Sequence, residues 1–474
     1  MAPPALRPGT MPAPPPLLAA LGPGIVWLAL AQGSGELVWW PLLVAKYGLG
    51  LVFLLVPACL LQWPLNVEIG RYTVLTGESI WQGFVRQSRG FAFGLWLLMA
   101  ASFLWFGGFA SAGGEAVATL TGAPAALSPE ARKVFWGALT VVVSATALLT
   151  SRRSYRLIER VMTAVAVVTV VGLLVSCLHP KVLAALPEFA SGLVRPRWPE
   201  GRAWDPADST RLLTGVSFAG LGGFWTLFYS SWLREKGAGM AAELERRSSA
   251  VTGRGEFLGD GGFTPVDDPA LAPRVRAWTR LLWADAGVGV VGNIATTLMT
   301  CLLSYALLFP AGKVPSDHEL VSLQAEFFAA SFGDLGRAIF LLVAAAFLAD
   351  TWLGTVDAVS HTHTEMLRSL APRVAAKWSY RKLYTGWVLV LTAVSLGTMA
   401  SRSPAFLILT SAVLGFVGTV LYSGALLHLN YRVLPRLVPA AAAPPRRGAF
   451  VLAGIVATYA CLAGLYAIAL LRAP

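Results

Sequence analysis

Apolar runs long enough to cross a membrane leave this chain little choice of architecture. With about twenty apolar residues taken as one crossing, the sequence divides into eleven such runs, roughly 21–46, 50–75, 91–120, 134–151, 158–178, 211–234, 278–309, 336–360, 383–400, 404–430 and 449–471. They are too continuous for barrel strands, which alternate polar and apolar residues over about ten positions. The expected fold is therefore all-α and polytopic. Composition agrees, since 56% of the residues are hydrophobic and only 13% charged, the balance of a membrane protein. Residues 1–16 are rich in proline and alanine with a single Arg7. Such a segment cannot bury enough surface to fold and is expected to be a disordered cytoplasmic tail. The run that follows is of spanning length and carries a polar break, unlike a cleavable signal peptide.

The formal charge of +12 would suggest nucleic acid in a soluble chain, but here the basic residues sort by loop. Arg86 and Arg89 follow the second run, and Arg152, Arg153, Arg156 and Arg160 lie between the fourth and fifth. Arg234, Lys236, Arg246, Arg247, Arg254, Arg274, Arg276 and Arg280 lie between the sixth and seventh; Arg368, Arg373, Lys377, Arg381 and Lys382 between the eighth and ninth; Arg432, Arg436, Arg446 and Arg447 between the tenth and eleventh. The alternate loops carry roughly half as many, which puts the N-terminus in the cytoplasm and the C-terminus outside. The partner that this basicity implies is the lipid bilayer, with no nucleic acid. The connection 235–275 has no helical period and is expected to be a long cytoplasmic loop. Residues 179–210, rich in Pro and Trp, form an external loop that either caps the outer vestibule or simply links two helices.

Two of the runs are interrupted by glycine. Ala31-Gln32-Gly33-Ser34-Gly35-Glu36 breaks the first, and Ala219-Gly220-Leu221-Gly222-Gly223 breaks the sixth. Without a Cβ, these residues release the backbone from helical geometry. Two Gly-interrupted segments, one opening each half of a chain, point to the substrate site of an inverted-repeat transporter. Unwound backbone offers carbonyls to a cation and N–H groups to an anion, while Ser34 and Glu36 add hard oxygen ligands. Glycines also serve close helix packing, but a charge directly after Gly-x-Gly is not what packing selects.

An ionisable side chain at mid-membrane costs a few kcal/mol or more, so it marks a candidate site. Glu36, Glu115, Asp350 and Asp357 qualify, with Asn293 and Thr351 as polar companions; Glu68 and Arg71, three apart, read as a local ion pair. Cys59, Cys177, Cys301 and Cys461 stand alone in apolar runs and read as buried thiols. His361 and His363, two apart, do not share a helix face and read as a polar helix end. There is no nucleophile with a base at motif spacing, no Walker loop and no His-x-x-x-His pair, so an enzyme is not expected.

Certain stretches resemble a known family. Leu21-Gly22-Pro23-Gly24 before the first break, Ala45-Lys46-Tyr47-Gly48 after it and Thr76-Gly77-Glu78 past the second run are similar to the opening of the natural resistance-associated macrophage protein (Nramp) family of divalent-metal transporters. Ser111-Ala112-Gly113-Gly114-Glu115 and Gly292-Asn293 are weaker echoes. The resemblance spans most of a ten-helix core. It implies the fold of the leucine transporter: two inverted five-helix repeats, here 17–178 and 211–430, with helices one and six broken, then a linker and an eleventh helix in 431–474.

It also implies departures. The family places Asp-Pro-Gly-Asn in the first break, where this chain has Gly33-Ser34-Gly35-Glu36, and Met-Pro-His-Asn in helix six, where it has Gly222-Gly223-Phe224-Trp225. The helix-three Asp associated with proton movement falls on Ala112, and the following Glu is kept as Glu115. Loss of the methionine removes the soft sulfur that favours transition metals, leaving a hard, roomy site suited to a partly hydrated Mg²⁺. The expectation is a secondary transporter of a divalent cation in a bacterial inner membrane, with no cofactor beyond the transported ion. Gly33, Ser34, Gly35, Glu36, Gly222 and Gly223 would form its centre, with Glu36 and Ser34 as metal ligands. Glu115, Asp350, Thr351 and Asn293 would serve a coupling H⁺ or Na⁺. A small organic solute, such as an amino acid lying on half-helix N-termini, is the alternative cargo. A non-transporting receptor or scaffold of the same fold is the alternative from outside transport.

Overall fold

The computed structural model describes residues 4–17, 22–31, 38–150, 167–198, 202–220, 222–243, 246–248, 255–257, 261–316 and 321–472. The first apolar run appears as two short helices, α1 (Pro23–Ala31) and α2 (Trp39–Tyr47). Then come α3 (Leu55–Thr76), α4 (Ile80–Gln87), α5 (Arg89–Phe103), α6 (Gly107–Thr121), α7 (Pro129–Thr150) and α8 (Val167–Cys177). The chain continues with α9 (Pro180–Val194), α10 (Asp208–Phe218), α11 (Trp225–Glu235), α12 (Leu271–Leu303), α13 (Glu326–Leu370), α14 (Tyr380–Ser401), α15 (Pro404–His428) and α16 (Arg446–Arg472). Among the described residues, eight helical stretches are long and apolar enough to cross a membrane, and α8 with α9 forms a further pair bent by 87°.

Glycine sets how closely these helices approach. A Cβ at Gly114 of α6 would lie 2.3 Å from the carbonyl oxygen of Lys133 in α7, so the two backbones meet with nothing between them, as small residues permit in a membrane. Large rings fill the rest of the core: Trp27, Trp39, Trp40, Trp81, Trp225 and Trp352 are all essentially buried.

Several expectations are corrected. Residues 1–16 were expected to be a disordered tail. Instead Arg7–Gly9 pairs in parallel with Phe263–Pro265, Met11 is 1% exposed, and Trp278 donates its indole N–H to the Pro12 carbonyl at 2.8 Å. Proline forbids a helix here but not an extended edge strand, and the apolar partner comes from a distant loop. The described residues of that loop, 235–275, include a 3₁₀ turn at Gly239–Glu243 and the strand Phe263–Pro265. The connection 179–210, expected to be external, contains α9, which starts on an N-terminal proline after a cap by His179 and brings Gly192 against Leu49. The third run is divided at residues 104–106 into α5 and α6, and the eighth extends from Glu326 to Leu370 with a kink at Gly333 (φ +58°).

Candidate functional site

The break in the sixth run is built by α10 and α11. Ala219 leaves the helix at φ −53°, ψ 115°, and Gly220 and Gly223 take φ of +69° and +67°, where only glycine is unstrained. A Cβ at Gly222 would lie 1.6 Å from the Ser217 carbonyl oxygen, so the turn admits no side chain there. The freed backbone finds partners on other helices. Tyr422 of α15 donates its hydroxyl to the Gly223 carbonyl at 2.9 Å. Gln62 of α3 lies beside Gly220 and Gly222, donates to the Tyr459 hydroxyl of α16 at 2.8 Å, and accepts from Thr226 at 3.4 Å.

Beyond the break stands Trp225. Phe103, Phe106, Phe109 and Phe218 surround its ring with centroids 5.0, 5.9, 6.1 and 5.3 Å away, and its N–H is donated to Thr355 of α13 at 2.8 Å. The position where the resemblance implies an asparagine is thus occupied by a ring packed among α5, α6, α10 and α13.

Gly33, Ser34, Gly35 and Glu36 lie outside the described residues. The helix that leads to them, α1, meets α13 where a Cβ at Gly354 would lie 3.1 Å from Leu30. Asp350 and Thr351 are one turn away on α13. Thr351 is 1% exposed and its hydroxyl has no hydrogen-bond partner among the described residues; Asp350, half-buried, makes no hydrogen bond or ion pair among them. Asn293 of α12 is fully buried with both amide atoms unpartnered among the described residues, next to Gly292, which abuts Leu28 of α1. Asp350 and Thr351 therefore lie one turn from one contact of α1, and Asn293 lies next to another. Glu115 does not join them: its Oε1 accepts the N–H groups of Val321 and Ser322 at 3.3 and 3.1 Å, which ties α6 to the connection entering α13. Glu68 and Arg71 form the expected ion pair at 3.1 Å.

Two carboxylates that sequence reasoning passed over hold the ends of the broken run. Asp285 of α12 accepts the N–H groups of Gly22 and Gly24 at 3.1 and 3.0 Å and the Tyr229 hydroxyl at 2.8 Å. At the start of α10, Asp208 accepts Tyr47 at 2.6 Å and pairs with Lys46 at 2.6 Å and with Arg211. Burial acts to raise the Asp208 carboxyl, but hydrogen bonds from Lys46, Tyr47 and Arg211 outweigh it and hold it below its ordinary value. Gln62 could have been found as a polar amide in an apolar run; nothing local marks Tyr422, Tyr459 or Thr355. Among the described residues no three His, Cys, Asp or Glu side chains come together as a metal site.

No family model and no curated protein matches the sequence. Solved structures do. A variant of the Eremococcus coleocola manganese transporter matches at 14% identity over 98% of each chain, with a TM-score of 0.61. Mhp1, a nucleobase-cation-symport-1 family transporter with bromovinylhydantoin bound, matches at 14% identity over 91% of this chain and 81% of its own, with a TM-score of 0.52. MhsT in complex with L-phenylalanine matches at 13% identity over 95% and 98%, with a TM-score of 0.51. At such identities the likeness concerns the fold, and it is the one expected: an all-α polytopic inverted-repeat bundle, shared by proteins that are transporters and not enzymes.

Proposed function

We propose that this chain is a secondary active transporter that moves a hard divalent cation, Mg²⁺-like in preference to Mn²⁺ or Fe²⁺, by alternating access and in symport with H⁺ or Na⁺. The observation that carries this reading is the pair Asp350 and Thr351, a carboxylate and a buried hydroxyl with no described hydrogen-bond partner, one turn from the contact between α13 and α1. Uncompensated polar groups at membrane depth mark ion paths. Glu36 and Ser34 would supply hard oxygens to the cargo, and Asp350 and Thr351 would hold the coupling ion. No sulfur ligand belongs to this set, which favours a hard ion. The likeness to a manganese transporter along nearly the whole chain supports cation transport as the class.

The test is uptake of Mg²⁺ and Mn²⁺ into proteoliposomes under imposed proton or sodium gradients, with Glu36→Gln and Asp350→Asn beside the parent. Uptake that requires Glu36, with Mg²⁺ preferred, is expected. Uptake unchanged in Glu36→Gln would sink the assignment.

A second reading has its own observation. The described surroundings of Gly222 and Gly223 are an amide, hydroxyls and rings, namely Gln62, Thr226, Tyr422, Tyr459 and Trp225, without a carboxylate. Such groups suit a small organic solute such as an amino acid. Thermal stabilisation by amino acids and by no divalent cation would select it.

A further inference from the structure

At the end of the bundle that the charge pattern assigns to the cytoplasm, α11, α13 and α14 enclose a histidine among acids. His361 of α13 has Nε2 3.4 Å from Asp357 and Nδ1 2.7 Å from the Tyr380 hydroxyl, and its ring lies 4.6 Å from that of Tyr384. Tyr384 donates to the same Asp357 oxygen at 2.6 Å. Glu235 of α11 and Glu365 of α13 also act on His361 electrostatically. The cation facing this group is Arg234 of α11, which pairs with Glu365 and donates to the Gly77 carbonyl at 3.0 Å. Lys236 turns away toward Gly22, and Arg368 follows one turn beyond Glu365. Among the described residues, Asp357, Glu235 and Glu365 thus surround His361, with the guanidinium of Arg234 beside them. His363, two residues on, has a different setting: its Nδ1 accepts from Trp96 at 2.6 Å and its ring packs on Trp387.

We propose that His361, with Asp357, Glu235 and Glu365, is a proton-binding site whose occupancy holds the ends of α11 and α13 together. A proton on His361 offsets one of the surplus negative charges in a setting where their repulsion is poorly screened. When it leaves, the acids repel and the contact made through Arg234 and Glu365 loosens. This deepens the transport reading and rests on it for its meaning: a proton entering with the cargo would keep this end closed, and its release to a less acidic cytoplasm would free the helices to part. The ordinary alternative is a histidine that merely fills a helix end.

The experiment is thermal unfolding of the purified full chain in lipid nanodiscs, without cargo, from mildly acidic to mildly alkaline pH. The parent is expected to lose several degrees as pH rises, and His361→Gln to give a nearly flat profile. Glu235→Gln, which removes one of the repelling acids, is expected to unfold at higher temperature than the parent on the alkaline side. A flat parent profile, or a His361→Gln loss equal at every pH, would overturn the proposal. Should His361→Gln not fold, Glu235→Gln decides: an alkaline gain supports the site, and no gain overturns it. The readout needs no flux, so a chain that transports nothing would still answer, and a transporting chain with a flat profile would refute this inference alone.

Discussion

Asp285 caps the start of α1, accepting the Gly24 N–H at 3.0 Å. At the far end of the same broken run, Asp208 holds Lys46 and Tyr47 of α2. One carboxylate from α12 and one from α10 thus fix the two halves of the segment expected to carry the cargo. Each is placed where a half-helix ends in groups that need a counter-charge: exposed N–H groups at one end, a lysine at the other.

Replacing Asp285 by alanine should cost about 2–3 kcal/mol, because it strands two N–H groups and the Tyr229 hydroxyl in a buried place. Asp285→Asn, which keeps one acceptor oxygen, should cost less. Thermal unfolding of the detergent-solubilised protein compares the two, and equal stability of parent and alanine variant would refute the cap.

Asp208 supplies a pH dependence of known sign. Its folded value is lowered, so the stabilisation is present above the ordinary carboxylate range and is lost as pH falls through the lowered folded value. Asp208→Asn should lower the unfolding temperature at neutral pH and flatten the acid limb of the stability profile. An acid limb as steep as that of the parent would show that other groups set it.

Gly222→Ala should abolish the break as it stands, since the added carbon would lie 1.6 Å from the Ser217 carbonyl oxygen. The expected cost is about 1–3 kcal/mol or more of overpacking, with loss of flux. Gly424→Ala, where a Cβ meets nothing within 4 Å, is the control and should be neutral or slightly stabilising. Normal flux in Gly222→Ala would detach this break from function.

Trp225→Ala should destabilise by about 3–5 kcal/mol, the range for removing a large buried ring. Trp225→Phe keeps most of the packing and loses the hydrogen bond to Thr355. If this ring closes the central space, the phenylalanine variant should admit bulkier solutes than the parent, which competition of uptake by solutes of graded size would read.

Deleting residues 1–16 should cost about 2–3 kcal/mol, the scale for one large buried apolar side chain, because the buried Met11 is removed from its place and Phe263 loses its strand partner. Unchanged unfolding would restore the disordered tail that the composition suggested.

The sequence by itself determined the class of fold and the place of the glycine break in the sixth run. Runs of spanning length commit the backbone to helices, because lipid offers it no other partner, and that requirement is local enough to read residue by residue. The break at Gly220, Gly222 and Gly223 was legible for the same reason, since glycine's freedom is a property of the residue. Which groups serve that break was not. Gln62, Thr355, Tyr422 and Tyr459 come from α3, α13, α15 and α16, and only the packing of those helices brings their polar atoms to one turn of backbone. The residues 1–16 show the same limit from the other side: their composition lacks the apolar surface to fold alone, and Phe263, more than two hundred positions away, supplies it. The tertiary structure also separated polar residues that looked alike in sequence, leaving Thr351 without a described partner while setting Glu115 on the backbone of Val321 and Ser322. Burial and partnership belong to pairs of elements, so a single run of sequence cannot state them.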